Sequence, residues 1–160
     1  MGVSGCGKST VGRALAHHWG VDFADADDLH SPQNVTAMTA GRPLDDAARA
    51  PWLAAIAQWL GEHAGGGVIA CSALRRPYRD VLRSGAPGVV FLHLDGDPNL
   101  LAQRLSSRSD HFMPPALLAS QIRTLEPLGP HEQGVAFDVA LSPDEIVSAF
   151  ATWCATGPGT

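Results

Sequence analysis

The chain has 160 residues, of which 45% are hydrophobic and 17% are charged, and its formal net charge is −5. This composition is typical of one folded globular domain and excludes a disordered chain. The acidic net charge argues against non-specific nucleic-acid binding, and no apolar run reaches the roughly 18 residues of a membrane span. We therefore expect a globular protein with neither a nucleic-acid partner nor a membrane partner.

The three cysteines, Cys6, Cys71 and Cys154, lie far apart and form no C-x-x-C pair. This pattern favours reduced thiols over a disulfide framework or a zinc site, and reduced thiols fit a cytosolic enzyme. The sequence also shows no charged-then-apolar leader, so we expect a cytoplasmic protein.

Residues 2–9 read Gly-Val-Ser-Gly-Cys-Gly-Lys-Ser, a complete G-x-x-x-x-G-K-[ST] phosphate-binding motif. Its glycines let the backbone curl around a polyphosphate with the N–H groups pointing inward. Lys8 places a cation on the β- and γ-phosphates, and the Ser9 hydroxyl is the usual ligand of the accompanying Mg²⁺. A helix from Ser9 onward adds its dipole to the anion site. The predicted ATP-binding residues of this segment are Gly2, Val3, Ser4, Gly5, Cys6, Gly7, Lys8, Ser9 and Thr10.

Strands and helices alternate along the rest of the chain. The predicted strands are 21–24, 68–71, 89–94 and 136–141, and the helices after the first begin near residues 31, 45, 75, 97, 114 and 142. Capping residues followed by proline mark several of these helix starts. This order predicts one α/β domain over residues 1–156, with a parallel sheet between two helical layers. Residues 157–160 are expected to be a disordered tail.

Acidic residues follow the first predicted strand, where ligands bind in folds of this kind. The segment Asp25-Ala26-Asp27-Asp28-Leu29-His30 concentrates like charge that a metal ion or substrate hydroxyls would offset. Asp25 and Asp27 point the same way in an extended chain. One could bind magnesium through water while the other accepts a proton from an attacking hydroxyl. A solvated acidic turn is the structural alternative.

Basic residues follow two later elements. Arg75, Arg76, Arg79 and Arg83 come after the strand at 68–71 and could pair a carboxylate or a phosphate. The alternative is a solvated helix face, above all for Arg83. Further along, Arg104 and Arg108 lie one helical turn apart at the start of a polar stretch. They predict a lid at 104–124 that neutralises charge on the transferred phosphoryl group.

Taken together, these segments resemble the small phosphate-loop gluconate kinases (the thermoresistant gluconokinase family), which are relatives of shikimate kinases. The resemblance runs from Met1 to about Phe150. It rests on residues 2–9, Asp25-Ala26-Asp27 with Leu29-His30, residues 41–46 with Arg49 and Pro51-Trp52-Leu53, Cys71-Ser72-Ala73-Leu74-Arg75 with Tyr78-Arg79-Asp80 and Leu82-Arg83, His111-Phe112, and Ser120-Gln121 before Leu125-Glu126.

The resemblance implies ATP-dependent phosphorylation of D-gluconate at its 6-hydroxyl, with ATP and Mg²⁺ as cofactors. It implies that Ser9 and, through water, Asp25 hold the Mg²⁺ ion. It also implies that Asp27 accepts the proton of the sugar-acid hydroxyl. It implies that Arg49, Arg75 and Arg79, with His30, bind the sugar acid, and that Arg104 and Arg108 close over ATP. Lys8, Asp27 and Arg108 are thus the expected catalytic residues, and a homodimer is one possible assembly.

Three rival functions remain to be weighed. A shikimate kinase would have its triple glycine after the apolar strand, whereas Gly65-Gly66-Gly67 precedes Val68 here. A nucleoside monophosphate kinase would need a base-specific pocket, and no segment indicates one. A non-catalytic nucleotide-binding module would lack the acidic or the lid residues, and both are present.

The phosphate-binding motif normally lies between a buried strand and a helix, but only Met1 precedes Gly2. In the resembled family this first strand lies between those matching 68–71 and 89–94. We therefore expect a sheet whose central strand is missing, with unpaired strand edges and a gap in the core. We also expect the natural start to lie about 8–12 residues upstream, one strand plus a short lead.

Overall fold

The computed structural model describes residues 1–106 and 115–157. The strands are β1 (Asp22–Asp25), β2 (Gly67–Ala70), β3 (Phe91–Asp95) and β4 (Gly134–Asp138). The helices are α1 (Lys8–Trp19), α2 (Pro32–Thr39), α3 (Asp46–Glu62), α4 (Arg76–Gly85), α5 (Pro98–Ser106), α6 (Pro115–Thr124) and α7 (Pro143–Thr156), with one 3₁₀ turn at Ala26–Leu29.

Side-chain caps start three of the helices where the sequence predicts them. The Ser31 hydroxyl accepts the Asn34 amide, and an Asp45 carboxylate oxygen accepts the Ala48 amide. Ser142 and Glu145 form a reciprocal capping box at the start of α7. Because each cap satisfies a backbone donor that the helix leaves free, these boundaries follow from local sequence.

The last strand begins and ends earlier than predicted: β4 covers 134–138, not 136–141. The Asp138 carboxylate accepts the Ala140 amide at 2.8 Å, and the Asp138 carbonyl accepts the Leu141 amide at 3.2 Å. This side-chain-supported turn ends the strand, because it directs backbone groups away from the ladder.

The strands form two parallel pairs with a gap between them. β1 pairs with β2, with Phe23 opposite Val68, and β3 pairs with β4, with Leu92 opposite Val135. Within the described residues the two pairs are separate two-stranded sheets. Among the residues that the structure describes, no strand joins the two pairs, which agrees with the predicted gap at the centre of the sheet.

Helical layers cover both faces of these strands. One hydrophobic cluster joins α1 and α7 to β3 through Val11, Leu15, Leu94, Ile146 and Phe150. A second cluster joins α3 and α4 to the opposite side through Trp52, Ile56, Tyr78, Leu82 and Phe91. Successive strand residues point to opposite faces, so Phe91 and Leu94 enter different clusters. The predicted three-layer α/β architecture is confirmed.

Two predictions about the chain fall partly outside the described residues. The lid at 104–124 includes 107–114, and the tail at 157–160 includes 158–160. Both stay predictions. In the part of the chain that the structure describes, no helix has the length and apolarity to cross a membrane.

Candidate active site

The phosphate-binding motif forms a tight loop that leads directly into α1. Gly5 and Gly7 adopt φ angles of 84° and 91°, in the left-handed region that side chains disfavour. A Cβ at Gly5 would also lie 2.8 Å from Cγ of Leu105, whereas one at Gly7 would meet no atom within 4 Å. Gly5 thus allows the loop to pack on α5, and Gly7 keeps the N-terminus of α1 open to an anion.

Two polar side chains of the loop make hydrogen bonds to neighbouring groups of the protein. The Lys8 ammonium donates to the Val3 carbonyl at 3.0 Å, so it folds back across the loop. The Ser9 hydroxyl donates to a carboxylate oxygen of Asp25 at 2.5 Å. A hydroxyl and a carboxylate at a phosphate site fit Mg²⁺, which takes few protein ligands and fills its octahedron with phosphate and water oxygens.

The acidic segment after β1 turns back on itself instead of continuing as a strand. Asp25 caps the 3₁₀ turn, and one of its oxygens accepts the Asp27 amide at 3.2 Å while the other accepts Ser9. Asp25 is thereby fixed on the phosphate loop, and the Asp27 side chain is exposed. The turn therefore places the two carboxylates differently. Asp25 is hydrogen-bonded to the phosphate loop, whereas the Asp27 side chain is accessible to a ligand.

His30 lies at the end of this turn against an aromatic surface. Its ring stacks on Trp52 with centroids 4.4 Å apart, and the Trp52 indole N–H donates to the Ala26 carbonyl at 2.6 Å. Burial lowers the pKa of His30 against the opposing effect of Asp27, so the imidazole is neutral at pH 7. Its buried Nδ1 has no hydrogen-bond partner in residues 1–106 and 115–157. A substrate hydroxyl would satisfy this atom.

A charged cluster joins the starts of α3 and α4. Arg49 donates to the Tyr78 hydroxyl at 2.8 Å, and that hydroxyl donates to Asp46 at 2.6 Å. Arg75 donates to Asp46 at 3.0 Å. Both guanidinium groups also lie over the Tyr78 ring, at 5.0 and 5.3 Å from its centroid. Two predicted substrate residues are therefore brought together on one tyrosine.

The carboxylates of this cluster hold its arginines in place. The hydrogen bond from Tyr78, with help from Arg75, lowers the pKa of Asp46, which is thus ionised at neutral pH. Glu126 lies 3.7 Å from Arg75 and accepts the Arg76 amide at 2.7 Å. Because Arg75 is still 36% exposed, its guanidinium remains able to pair a second anion.

The prediction that Arg79 binds substrate is wrong in this structure, because its side chain is fully buried. The guanidinium forms a bidentate pair with Glu132, at 2.6 and 2.8 Å. Its remaining donors go to the carbonyls of Ala73, Leu74, Glu126 and Pro127. All of its donor nitrogens are thus used within the protein.

The predicted lid arginines are only partly described. Arg104 lies on α5 and donates to the Val139 carbonyl at 2.8 Å, so in this structure it contacts the protein backbone. Arg108 lies outside the described residues, and so does His111. At the other end of that segment, the Gln121 side chain on α6 accepts the Ser4 amide of the phosphate loop at 2.7 Å.

Several residues of the site were not assigned a role from the sequence. Asp46, Tyr78 and Glu126 organise the arginines, and Trp52 supports His30. Asp46, Tyr78 and Trp52 all belong to segments that carry the family resemblance, which is the signal that points to them. Their contacts join positions 22 to 50 residues apart, so no local spacing reveals them.

Comparison with known proteins shows the family of the chain. The family model described as shikimate kinase matches residues 4–128. A gluconokinase of Gluconobacter oxydans is 47% identical over 150 residues, which cover 92% of this chain and 84% of that protein. A crystal structure of a gluconokinase from Sinorhizobium meliloti matches at a TM-score of 0.89 with 44% identity, covering 99% of this chain and 90% of the other.

A shikimate kinase of Aquifex aeolicus shares the fold at a TM-score of 0.62 with 15% identity, over 98% of this chain and 94% of the other. Identity at that level speaks for the fold alone, whereas the gluconokinases match in both sequence and structure. The chain belongs to the gluconokinase family of phosphate-loop kinases, whose fold it shares with shikimate kinase.

Proposed function

We propose that this protein transfers the γ-phosphoryl group of ATP to the 6-hydroxyl of D-gluconate, giving 6-phospho-D-gluconate and ADP. The observation that carries the proposal is the cluster of Arg49, Arg75 and Tyr78. Arg75 in this cluster follows the carboxyl end of β2, the side of a parallel sheet at which ligands bind. A carboxylate needs fixed cations and donors, and a guanidinium beside a phenol supplies both.

In the proposed reaction the 6-hydroxyl oxygen forms a bond to the γ-phosphorus while the bond from that phosphorus to the β,γ-bridging oxygen breaks. The exposed Asp27 carboxylate takes the hydroxyl proton, and ADP leaves with the electron pair of the broken bond. Asp27 is favoured over Asp25 as the base because both oxygens of Asp25 already accept hydrogen bonds from Ser9 and from the Asp27 amide.

The phosphate loop is proposed to hold the nucleotide. The loop amides of residues 2–10 and the Lys8 ammonium neutralise the β- and γ-phosphates, and Arg104 and Arg108 close over them. Ser9 and Asp25 would hold Mg²⁺, which supplies charge neutralisation at the phosphates when bound. For Arg104 this role requires that its guanidinium leave the Val139 carbonyl.

The sugar acid is proposed to lie across the cluster and the His30 ring. Arg49 and Arg75 would pair its carboxylate. The Nδ1 atom of His30, which has no hydrogen-bond partner among the described residues, would bond a hydroxyl of the sugar acid. The buried Arg79 is proposed to position Arg75 without contacting the substrate. It donates to the carbonyls of Ala73 and Leu74, the two residues that precede Arg75.

A coupled ADP-release assay tests the proposal. The protein is assayed with ATP and Mg²⁺ against D-gluconate, shikimate and nucleoside monophosphates, and Lys8→Ala serves as the inactive control. We expect turnover with D-gluconate only, and a phosphorus NMR signal of a 6-phosphate ester. Turnover with shikimate or a nucleoside monophosphate but not with gluconate would contradict the proposal, and so would ATP binding without turnover of any acceptor.

Two further features of the protein are proposed on less specific grounds. The free cysteines Cys6, Cys71 and Cys154 support a cytoplasmic location, because reduced thiols persist there. The homodimer stays a prediction, which light scattering of the purified protein would test.

A further inference from the structure

The peptide unit between Val3 and Ser4 in the phosphate loop is hydrogen-bonded at both of its polar groups. Its carbonyl accepts the Lys8 ammonium at 3.0 Å, and its N–H donates to the side-chain oxygen of Gln121 on α6 at 2.7 Å. Because a peptide unit is planar, a bond that fixes its N–H also fixes the direction of its carbonyl. The same bond polarises the unit and strengthens the carbonyl as an acceptor. Gln121 therefore orients the group to which Lys8 is bonded.

Gln121 is itself held in place, because α6 is attached to the domain at both of its ends. Leu118 lies one helical turn before Gln121 and is buried in the same hydrophobic cluster as Val3. Beyond the helix, the Glu126 amide donates to the Leu74 carbonyl at 2.8 Å. The backbone that carries Gln121 is thus fixed to the phosphate loop on one side and to the segment before α4 on the other. A side chain that orients another group needs this kind of support.

We propose that Gln121 is a positioning residue: it fixes the Val3–Ser4 peptide, whose carbonyl holds the Lys8 ammonium in place for the β- and γ-phosphates of ATP. The inference rests on the proposed nucleotide-binding role of the loop. An ammonium has three N–H donors, so its bond to Val3 leaves donors for phosphate oxygens. A glutamine suits the role because its side-chain carbonyl accepts the Ser4 amide and adds no negative charge beside a phosphate site.

Amide exchange in the ligand-free protein tests whether Gln121 fixes the peptide. Gln121→Met keeps the length of the side chain but removes the acceptor, whereas Gln121→Glu keeps an acceptor oxygen. We expect the Ser4 amide to exchange at least about tenfold faster in Gln121→Met and to stay within about twofold of the original rate in Gln121→Glu. The matched control is Gln103→Met, the same substitution at an exposed position of α5, which should leave the Ser4 rate unchanged.

Calorimetric titration with ATP, without a sugar acid, tests whether the effect passes through Lys8. Gln121→Met should raise the Kd for ATP about tenfold, because one fixed hydrogen bond of the loop is lost. In the Lys8→Ala background the same substitution should raise the Kd by less than about twofold, since the group that Gln121 positions is then absent. A contact that only joins α6 to the loop would weaken ATP binding by the same factor in both backgrounds.

Two results would overturn the inference: an unchanged Ser4 exchange rate in Gln121→Met, or an equal loss of ATP affinity with and without Lys8. If Gln121→Met does not fold, Gln121→Asn replaces it, because its side chain is one methylene shorter and withdraws the acceptor from Ser4. If the original protein binds no ATP, the proposed function fails and this inference fails with it. ATP binding that does not depend on Gln121 would overturn the inference alone.

Discussion

The phosphate loop and the charged cluster of Arg49, Arg75, Tyr78 and Asp46 are both proposed to bind an anion, but they are built by different means. The loop relies on backbone shape, with glycines in left-handed conformations and a helix N-terminus behind them. The cluster relies on charged side chains that hold one another from two helices. A backbone-built site is encoded by local spacing, whereas a side-chain site depends on tertiary contacts.

The largest effect is expected from removing the one cation of the loop. Lys8→Ala should lower kcat about 10³-fold, because it deletes charge stabilisation of the transferring phosphoryl group. Tm should stay within about 1 °C, since within residues 1–106 and 115–157 Lys8 donates only to the Val3 carbonyl and to the Cys6 sulfur. Steady-state kinetics and thermal unfolding measure both quantities, with exposed Arg42→Ala as the control. A folded Lys8→Ala protein with normal kcat would remove the loop from the mechanism.

The next largest effect is expected at Asp27, the proposed proton acceptor. Asp27→Asn keeps the shape of the side chain but cannot take a proton, so kcat should fall about 10²-fold with ATP affinity unchanged. Its exposed neighbour offers the matched control: Asp28→Asn should be nearly neutral. Kinetics and calorimetric ATP titration distinguish the outcomes. Weak ATP binding with intact turnover in Asp27→Asn would assign this carboxylate to the metal instead.

A smaller effect, on the KM for gluconate alone, is expected from a substitution at Arg75 in the charged cluster. Arg75→Ala should raise KM for gluconate about tenfold and leave KM for ATP unchanged, because it removes one charge-assisted pair to the sugar acid. Arg76→Ala is the control, since that neighbour is exposed and lies 4.0 Å from Asp80. Equal changes in both KM values would show that the cluster and the loop are not separate sites.

The smallest effect on catalysis is expected for the buried pair of Arg79 and Glu132, whose loss should mainly lower the stability of the protein. Glu132→Gln removes one charge of a pair whose side chains are 0% and 1% exposed. The free energy of unfolding should fall by about 3 kcal/mol, because the Arg79 charge is left uncompensated. Denaturant unfolding at pH 7 measures the loss, with exposed Glu62→Gln as the control.

The same pair predicts a pH dependence. Hydrogen bonds from Arg79 lower the pKa of Glu132 below its ordinary value of 4.5. A carboxylate with a lowered pKa in the folded state stabilises the protein above that ordinary value, and the stabilisation is lost as the pH falls through the folded pKa. The stability difference between the original protein and Glu132→Gln should therefore shrink below about pH 4.5. A difference that does not change with pH would show that the pair contributes through shape alone.

The features that local sequence encodes were predicted closely. Helix caps at Ser31, Asp45 and Ser142 are short-range hydrogen bonds, so residue spacing alone locates them. The contact between Ser9 and Asp25 follows from the order of elements, because the phosphate loop and the end of β1 meet at one side of the domain. The gap in the sheet was predicted from the motif, since the loop needs a strand before it.

The features that depend on distant partners were not predictable in this way. Arg75 directly precedes α4 and Arg79 lies within it. Sequence reasoning predicted that both of them bind the substrate. What separates them is Glu132, which lies 53 positions away from Arg79 and draws it into the core. The end of β4 was misplaced for a related reason: residues 139–141 are apolar, as in a strand, but the Asp138 side chain closes a turn.

The stack of His30 on Trp52 gives the protein an optical signal of its own. The two rings are 4.4 Å apart and nearly parallel, at 9°, so a molecule that bonds the imidazole changes the surroundings of the indole directly. Trp52 is 4% exposed and Trp19 is 41% exposed, so a water-soluble quencher suppresses Trp19 far more. Binding of a sugar acid at His30 should thus change the contribution of Trp52, one of four tryptophans, to the intrinsic fluorescence, without a label and without turnover.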